Sequence, residues 1–222
     1  MKLVLLGPPG AGKGTQAELL ARRLRLAHVA TGDLFRAEVK RATALGRQVA
    51  GFMRRGELIP DAVVVRLITQ HLGRPAIRRA FALDGFPRTV AQARALDAAL
   101  ARQHAALDVV LDFQTPTDVI LRRLTGRWIC RACGAIYHAV TMRPKAPGRC
   151  DRCPGRLVQR VDDQRATVLR RLAVYRRQSA PVVRYYARQG LLRRVRGEWE
   201  AQRLYRALVR LFRTQGLLRD PA

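Results

Sequence analysis

A glycine-rich loop between an apolar run and a helical pattern is the feature that most constrains how this chain folds. The loop follows the run Lys2–Leu6 directly and reads Gly7-Pro8-Pro9-Gly10-Ala11-Gly12-Lys13-Gly14-Thr15. From about residue 13 to residue 26, leucines recur at helical spacing. A strand, a glycine loop that ends in lysine, and a helix in that order predict a phosphate-binding loop. A plain tight turn would explain the glycines but not the lysine. The generic motif has Ser or Thr directly after its lysine, whereas here a glycine intervenes.

Further apolar runs alternate with helical patterns along the chain. Strands are expected at 81–83, at 109–113 and at 191–195. The first of these ends at Asp84, whose carboxylate suits either Mg²⁺ or the cap of a helix. Alternating strands and helices predict an α/β fold with a parallel sheet flanked by helices.

Several helix starts carry recognisable sequence signals. Thr89 with Gln92 forms a candidate capping box, and Thr115 offers a cap with Pro116 at the first helical position. A long helical pattern follows Asp162 and Asp163 and runs to about residue 187, and residues 198–211 form a closing helix.

Two segments break the alternation and predict inserts. Residues 31–60 are helical and bounded by glycine and proline, whereas residues 127–164 are short elements rich in glycine, proline and cysteine. We therefore expect a core formed by residues 1–30, 61–126 and 165–222, a helical insert at 31–60 and a small lid at 127–164.

Four cysteines form two pairs, Cys130-x2-Cys133 and Cys150-x2-Cys153. In an intracellular protein this spacing favours one tetrahedral Zn²⁺ held by four thiolates, a closed and therefore structural site. Two disulfides and four free thiols are the alternatives, and four thiolates also accept iron.

The charge balance is strongly basic, with 43 Lys and Arg residues against 16 Asp and Glu and a formal net charge of +27. Such a charge favours nucleotides, nucleic acid or an anionic membrane as partners. A solvated, arginine-rich surface is the better explanation for most of these residues, because they are spread over the whole length. Charge alone therefore assigns no function.

The short length of the apolar runs indicates the compartment to expect. No run approaches the ~18–20 residues of a membrane span, and the segment before the glycine loop is too short for the apolar part of a signal peptide. We expect a cytoplasmic protein without a membrane partner.

Motifs in the rest of the chain extend the loop into a family resemblance. They are Thr31-Gly32-Asp33-x-x-Arg36, Asp84-Gly85-Phe86-Pro87-Arg88 with Gln92, Arg123-x3-Arg127, the cysteine pairs, and Arg160-x-Asp162-Asp163 with Arg171-Leu172 and Tyr175. In this order, and with the Gly14-Thr15 ending of the loop, they resemble nucleoside monophosphate kinases, adenylate kinases of the long, zinc-carrying form in particular. The resemblance covers nearly the whole chain. It implies reversible phosphoryl transfer from Mg·ATP to AMP, giving two ADP and maintaining adenine nucleotide balance, by a monomer.

The same resemblance implies a role for individual residues. The catalytic set is Lys13, Asp84, Arg88, Arg123, Arg160 and Arg171, with Asp84 ordering Mg²⁺. The ATP side is Gly10, Ala11, Gly12, Lys13, Gly14, Thr15, Arg123, Arg127, Ile136, Tyr137 and Trp199. The AMP side is Thr31, Arg36, Glu57, Leu58, Ile59, Gly85, Phe86, Pro87, Arg88, Gln92, Arg160 and Arg171. Thr31 favours AMP over pyrimidine monophosphates.

Two rival functions remain. A kinase for UMP, CMP or another monophosphate would use the same phosphate chemistry. A basic, zinc-containing nucleic-acid-binding protein would show steeply salt-dependent binding without ADP formation. The scattered arginines argue against a dedicated nucleic-acid-binding face, so nucleic acid is not an expected partner.

Overall fold

The computed structural model describes residues 1–218, and a parallel five-stranded sheet lies at its centre. The sheet order is β2-β3-β1-β4-β8, and all its pairings are parallel. Its strands are β1 Lys2–Leu6, β2 Ala27–Ala30, β3 Phe81–Asp84, β4 Val109–Gln114 and β8 Leu192–Arg196. The predicted parallel sheet is confirmed. The sequence missed β2, because His28 and two alanines give this edge strand a weak apolar signal.

Both faces of the sheet are covered by helices. Along β1, Leu3 and Leu5 pack into one hydrophobic cluster, whereas Val4 and Leu6 pack into another on the opposite face. This two-sided burial explains why the strand is a continuous apolar run rather than an alternating pattern.

Ten α-helices surround the sheet within residues 1–218. They are α1 Lys13–Leu24, α2 Thr31–Lys40, α3 Ala44–Arg55, α4 Asp61–Leu72, α5 Pro75–Arg78, α6 Val90–Ala101, α7 Thr117–Thr125, α8 Arg165–Val174, α9 Ala180–Arg188 and α10 Ala201–Thr214. A π-helical turn, Tyr175–Ser179, joins α8 to α9. In the part of the chain that the structure describes, no helix is both long and apolar enough for a membrane crossing.

The predicted helix starts are correct to within a few residues. Thr89 caps α6, and its Oγ1 accepts from the Gln92 backbone N–H at 3.1 Å. In a capping box, the Gln92 side chain would accept from the backbone N–H of the cap residue Thr89. Here it accepts from the Arg88 N–H instead. The cap of α7 is Pro116 instead of Thr115, whose hydroxyl bonds to Ala11 O at 3.4 Å.

The closing helix starts later than predicted. Glu200 caps α10, because its two carboxylate oxygens accept from the backbone N–H groups of Gln202 and Arg203 at 2.8 and 2.9 Å. Residue 198 therefore lies in the preceding turn.

A second, antiparallel sheet lies within the cysteine-rich segment. Its strands are β5 Arg127–Cys130, β6 Ile136–His138 and β7 Leu157–Val158, in the order β6-β5-β7. Its buried hydrophobic cluster consists only of Cys130, Ala135, Tyr137 and Leu157. So small a core needs additional crosslinking to hold one conformation.

Candidate active site

The glycine loop after β1 wraps closely around the lysine side chain. Gly7, Gly10 and Gly12 have positive φ angles, and a Cβ on Gly7 would lie 2.7 Å from the Phe113 carbonyl oxygen. Lys13 Nζ donates to the carbonyl oxygens of Gly7 and Pro8, each at 2.8 Å. Burial lowers the pKa of Lys13 to about 8, against the opposing effect of the nearby Asp84 carboxylate.

Asp84 stands at the carboxyl end of β3, beside the start of α1. Its Oδ2 lies 3.2 Å from where a Cβ on Gly14 would be, so a larger residue after Lys13 would crowd the carboxylate. A hard oxygen donor at this position fits Mg²⁺.

Arginines from several elements of the chain converge above the glycine loop on a cavity of about 1140 Å³. They are Arg36, Arg88, Arg122, Arg123, Arg127, Arg160 and Arg171. The pKa of Arg88 and that of Arg160 are each lowered to about 10. Burial is the largest cause, and the charges of neighbouring arginines act in the same direction. Mutual repulsion of this kind favours the entry of a polyanion.

Carboxylates pair with these arginines across the cleft. Arg36 and Arg160 both contact Asp33, with the Arg160 Nη2 to Oδ1 distance at 3.4 Å. Arg171 Nη1 lies 3.1 Å from Asp162 Oδ2, and Arg36 Nη1 lies 3.9 Å from the same oxygen. The helical insert is thereby linked to the segment that precedes α8.

Arg123 ties α7 to the turn after β8. Its Nη1 donates to Gly197 O at 2.7 Å and its Nη2 donates to Glu198 O at 3.1 Å. Trp199 lies next in this turn, under the guanidinium of Arg203 at 4.2 Å from the ring centroid. These contacts place an aromatic ring beside the glycine loop, where a base could pack.

A smaller cavity of about 70 Å³ opens between the helical insert and α6. Thr31 Oγ1 is buried at its edge, without a hydrogen-bond partner in residues 1–218. Gln92 is 1% exposed, and its Nε2 donates to Asp61 Oδ1 at 2.7 Å. Two buried polar side chains in a small cavity suit a nucleobase edge.

Comparison with known proteins decides the family. The family model for adenylate kinase matches residues 5–191. The chain belongs to the adenylate kinase family.

Individual relatives agree over nearly the whole length. The adenylate kinase of Moorella thermoacetica is 53% identical over 197 residues, which cover 89% of this chain and 91% of the relative. That of Desulforudis audaxviator is 47% identical over 209 residues, with 94% and 98% covered. That of Methanocella arvoryzae is 48% identical over 200 residues, with 90% and 93% covered. As a member of this family the chain is a nucleotide-binding phosphotransferase.

Most residues that the adenylate kinase resemblance singled out line one of the two cavities. Ala11 and Phe86 do not, because they are buried in the hydrophobic clusters on the two faces of the sheet. The large cavity is also lined by residues that the sequence analysis missed, among them Val119, His138, Thr141, Val174 and Glu200. Of these residues, only His138 could have been suspected from the sequence, because it directly follows Tyr137, which the resemblance places on the ATP side.

The four cysteines converge, as their spacing predicts. Their Sγ atoms all lie within 4.8 Å of one another, with Cys130 to Cys153 at 3.5 Å and Cys133 to Cys150 at 3.6 Å. The thiols are not bonded to each other, so the disulfide alternative does not describe this structure. A tetrahedron of sulfurs ~2.3 Å from a central zinc has edges of about 3.8 Å, which fits these separations.

Proposed function

We propose that this adenylate kinase family member transfers a phosphoryl group reversibly between Mg·ATP and AMP, giving two ADP. The observation that carries the proposal is the convergence of Lys13 and seven arginines on one cavity that adjoins a smaller polar one. Two nucleotides that meet phosphate to phosphate need such a shared cationic centre.

The ATP side is proposed to be the glycine loop and the residues near it in the large cavity. Backbone N–H groups of residues 10–15 and Lys13 would hold the outer phosphates. Arg123, Arg127 and the strand residues Ile136 and Tyr137 would complete the side, with Trp199 next to the base.

The AMP side is proposed to be the helical insert with the start of α6. Arg36, Arg88 and Arg171 would hold the monophosphate, and Arg160 would reach it from the lid. Thr31 and Gln92 would read the base. The chain at Glu57, Leu58, Ile59 and at Gly85–Pro87 would flank it.

The reaction needs alignment and charge neutralisation rather than covalent chemistry by the protein. An AMP phosphate oxygen bonds to the γ-phosphorus, the bond from that phosphorus to the β–γ bridging oxygen breaks, and ADP leaves with the electron pair. Lys13, Arg88, Arg123, Arg160 and Arg171 hold the transferring oxygens in line. Mg²⁺, ordered through Asp84, supplies further charge neutralisation when it accompanies the nucleotide.

The helical insert at 31–60 and the lid at 127–164 are proposed to close over the bound nucleotides around the core. The ion pairs Arg160–Asp33 and Arg36–Asp162 already join these two segments. Closure would exclude water, to which the phosphoryl group would otherwise transfer.

The remaining proposals concern the metal and the cellular context. Cys130, Cys133, Cys150 and Cys153 would hold one structural Zn²⁺ that stabilises the small antiparallel sheet. From the adenylate kinase resemblance we also propose a monomer in the cytoplasm that balances adenine nucleotides.

The test is ADP formation by the purified protein with Mg·ATP and, separately, AMP, UMP, CMP and GMP. Rapid ADP formation with AMP alone supports the proposal. A different preferred acceptor would keep the phosphate chemistry and overturn the assignment of AMP. No transfer to any acceptor, together with salt-sensitive binding of RNA or DNA, would favour the nucleic-acid-binding alternative.

A further inference from the structure

Both ends of the Gln92 side-chain amide are already hydrogen-bonded to the protein. Oε1 accepts from the Arg88 backbone N–H at 2.7 Å, and Nε2 donates to Asp61 Oδ1 at 2.7 Å. Each end retains one further site, because an amide oxygen has two lone pairs and an amide nitrogen has two hydrogens. Arg88 and Asp61 therefore decide in which order Gln92 offers a donor and an acceptor to a base.

Of these two partners, Asp61 is the one that a side-chain substitution can remove, because Arg88 contributes its backbone N–H. Its carboxylate can only accept hydrogen bonds, so it requires the nitrogen end of Gln92 on its side. Its second oxygen accepts from Thr89 Oγ1 at 2.7 Å, and that hydroxyl caps α6. As the first residue of α4, Asp61 is anchored on one helix while it orients a side chain on another.

We propose that Asp61 is a positioning residue that sets the acceptor-base preference by fixing the orientation of the Gln92 amide. The inference rests on the proposed function, because it concerns the same acceptor site. The edge of adenine offers an acceptor at N1 and a donor at the 6-amino group, which complement one amide orientation. A 6-oxopurine offers a donor at N1 and an acceptor at position 6, so it requires the amide reversed.

Two substitutions at this position separate hydrogen bonding from charge. In Asp61→Asn, the amide oxygen can still accept from Gln92 while the NH₂ group donates to Thr89 Oγ1, so the Gln92 orientation is kept. In Asp61→Ala, no acceptor remains, and only the Arg88 N–H opposes reversal. Asp61→Ser, whose side chain is too short to reach Gln92, serves if the alanine variant does not fold.

Asp97 on the same helix as Gln92 supplies a matched control. It is also a carboxylate that accepts side-chain hydrogen bonds, from Tyr185 OH at 2.8 Å, Tyr186 OH at 3.3 Å and Gln189 Nε2 at 3.2 Å. It lines neither cavity. Asp97→Ala therefore removes comparable contacts and lowers stability without touching the acceptor site.

The experiment measures kcat and KM for AMP, inosine monophosphate and ATP in the parent protein and in each variant. ADP formation from AMP by the parent tests the proposed function by itself. Asp61→Ala should raise the KM for AMP and leave the KM for ATP unchanged. It should also lower the ratio of kcat/KM for AMP to kcat/KM for inosine monophosphate about tenfold. Asp61→Asn and Asp97→Ala should keep the parent ratio, whatever their melting temperatures.

Two outcomes would overturn different statements. A parent that makes ADP from AMP, combined with an Asp61→Ala variant that loses kcat but keeps the base ratio, would show a structural role for Asp61 and reject the inference. A parent that makes no ADP from AMP would reject the proposed function instead.

Discussion

Arg127 and Asp163 form a two-bond ion pair that joins the first strand of the small sheet to the turn before α8. Arg127 Nε lies 2.8 Å from Oδ2 and Nη2 lies 2.6 Å from Oδ1, and Asp163 is 0% exposed. The entry and exit of the cysteine-rich segment are thereby clamped at one point. Arg171 Nη1 is a second cation near the same carboxylate, at 3.7 Å.

Removal of this buried carboxylate should destabilise the protein strongly. We expect Asp163→Ala to lower the free energy of unfolding by about 3 kcal/mol, because Arg127 then stays half-buried without its partner. Urea unfolding of the parent and the variant measures this loss of free energy of unfolding. Asp118→Ala breaks the exposed pair with Arg122 and should cost less than about 1 kcal/mol. Equal effects of the two substitutions would contradict the expectation.

Lys13 should be essential for turnover and dispensable for folding. We expect Lys13→Ala to lower kcat/KM at least ~1000-fold, because charge that develops on the transferring phosphate loses its buried cation. Arg88→Ala should likewise abolish most turnover. Far-ultraviolet circular dichroism should match the parent, and Lys40→Ala, an exposed lysine on α2, should turn over normally. A near-normal turnover rate in Lys13→Ala would contradict the assignment of Lys13 to the active site.

The lowered pKa of Lys13 predicts a pH dependence of nucleotide binding. The free protein loses this charge as the pH rises through about 8, whereas bound phosphates favour the protonated amine. The dissociation constant of ADP should therefore rise by up to about tenfold between about pH 7.5 and about pH 9, with proton uptake on binding in titration calorimetry. Lys13→Arg stays protonated over this range, so persistence of the same pH slope in that variant would assign it to another group.

The same lowered pKa acts on stability in the opposite direction. Between about pH 8 and 10.5, the unfolded chain holds a proton on Lys13 that the folded, nucleotide-free protein has lost. The contribution of Lys13 to the free energy of unfolding should therefore increase as the pH rises through this range. Urea unfolding of the parent and of Lys13→Ala across these pH values isolates the contribution of Lys13. Parallel plots of the free energy of unfolding against pH for the two proteins would contradict the expectation.

The cysteine cluster should contribute to stability rather than to chemistry. Cys130→Ser should lose the bound metal and several degrees of melting temperature, while the rate assayed in the cold changes less, because a four-sulfur site has no open position. Metal analysis and calorimetry on the same preparation measure both. An unchanged melting temperature after metal loss would reject a structural metal.

Local sequence patterns predicted the architecture well where the signal lies within one element. The apolar runs that became β1, β3 and β4, the glycine loop and the Thr89 cap could all be recognised, because each depends on neighbouring residues. Edge strand β2 could not, since half-buried alanines carry little pattern. The cap of α7 shifted because Thr115 bonds instead to Ala11, in the glycine loop. The cap of α10 shifted to Glu200, whose carboxylate accepts from the backbone N–H groups of Gln202 and Arg203.

The sequence by itself therefore determined the α/β class, the phosphate-binding loop and the convergence of four thiols, since all three follow from spacing. Only the tertiary structure decided which partners the site residues have. Gln92 and Asp61 are 31 positions apart, and Arg160 and Asp33 are 127 apart. Such pairings depend on how the helical insert and the lid meet the sheet. The packing of those parts is a property of the whole chain that no local pattern carries.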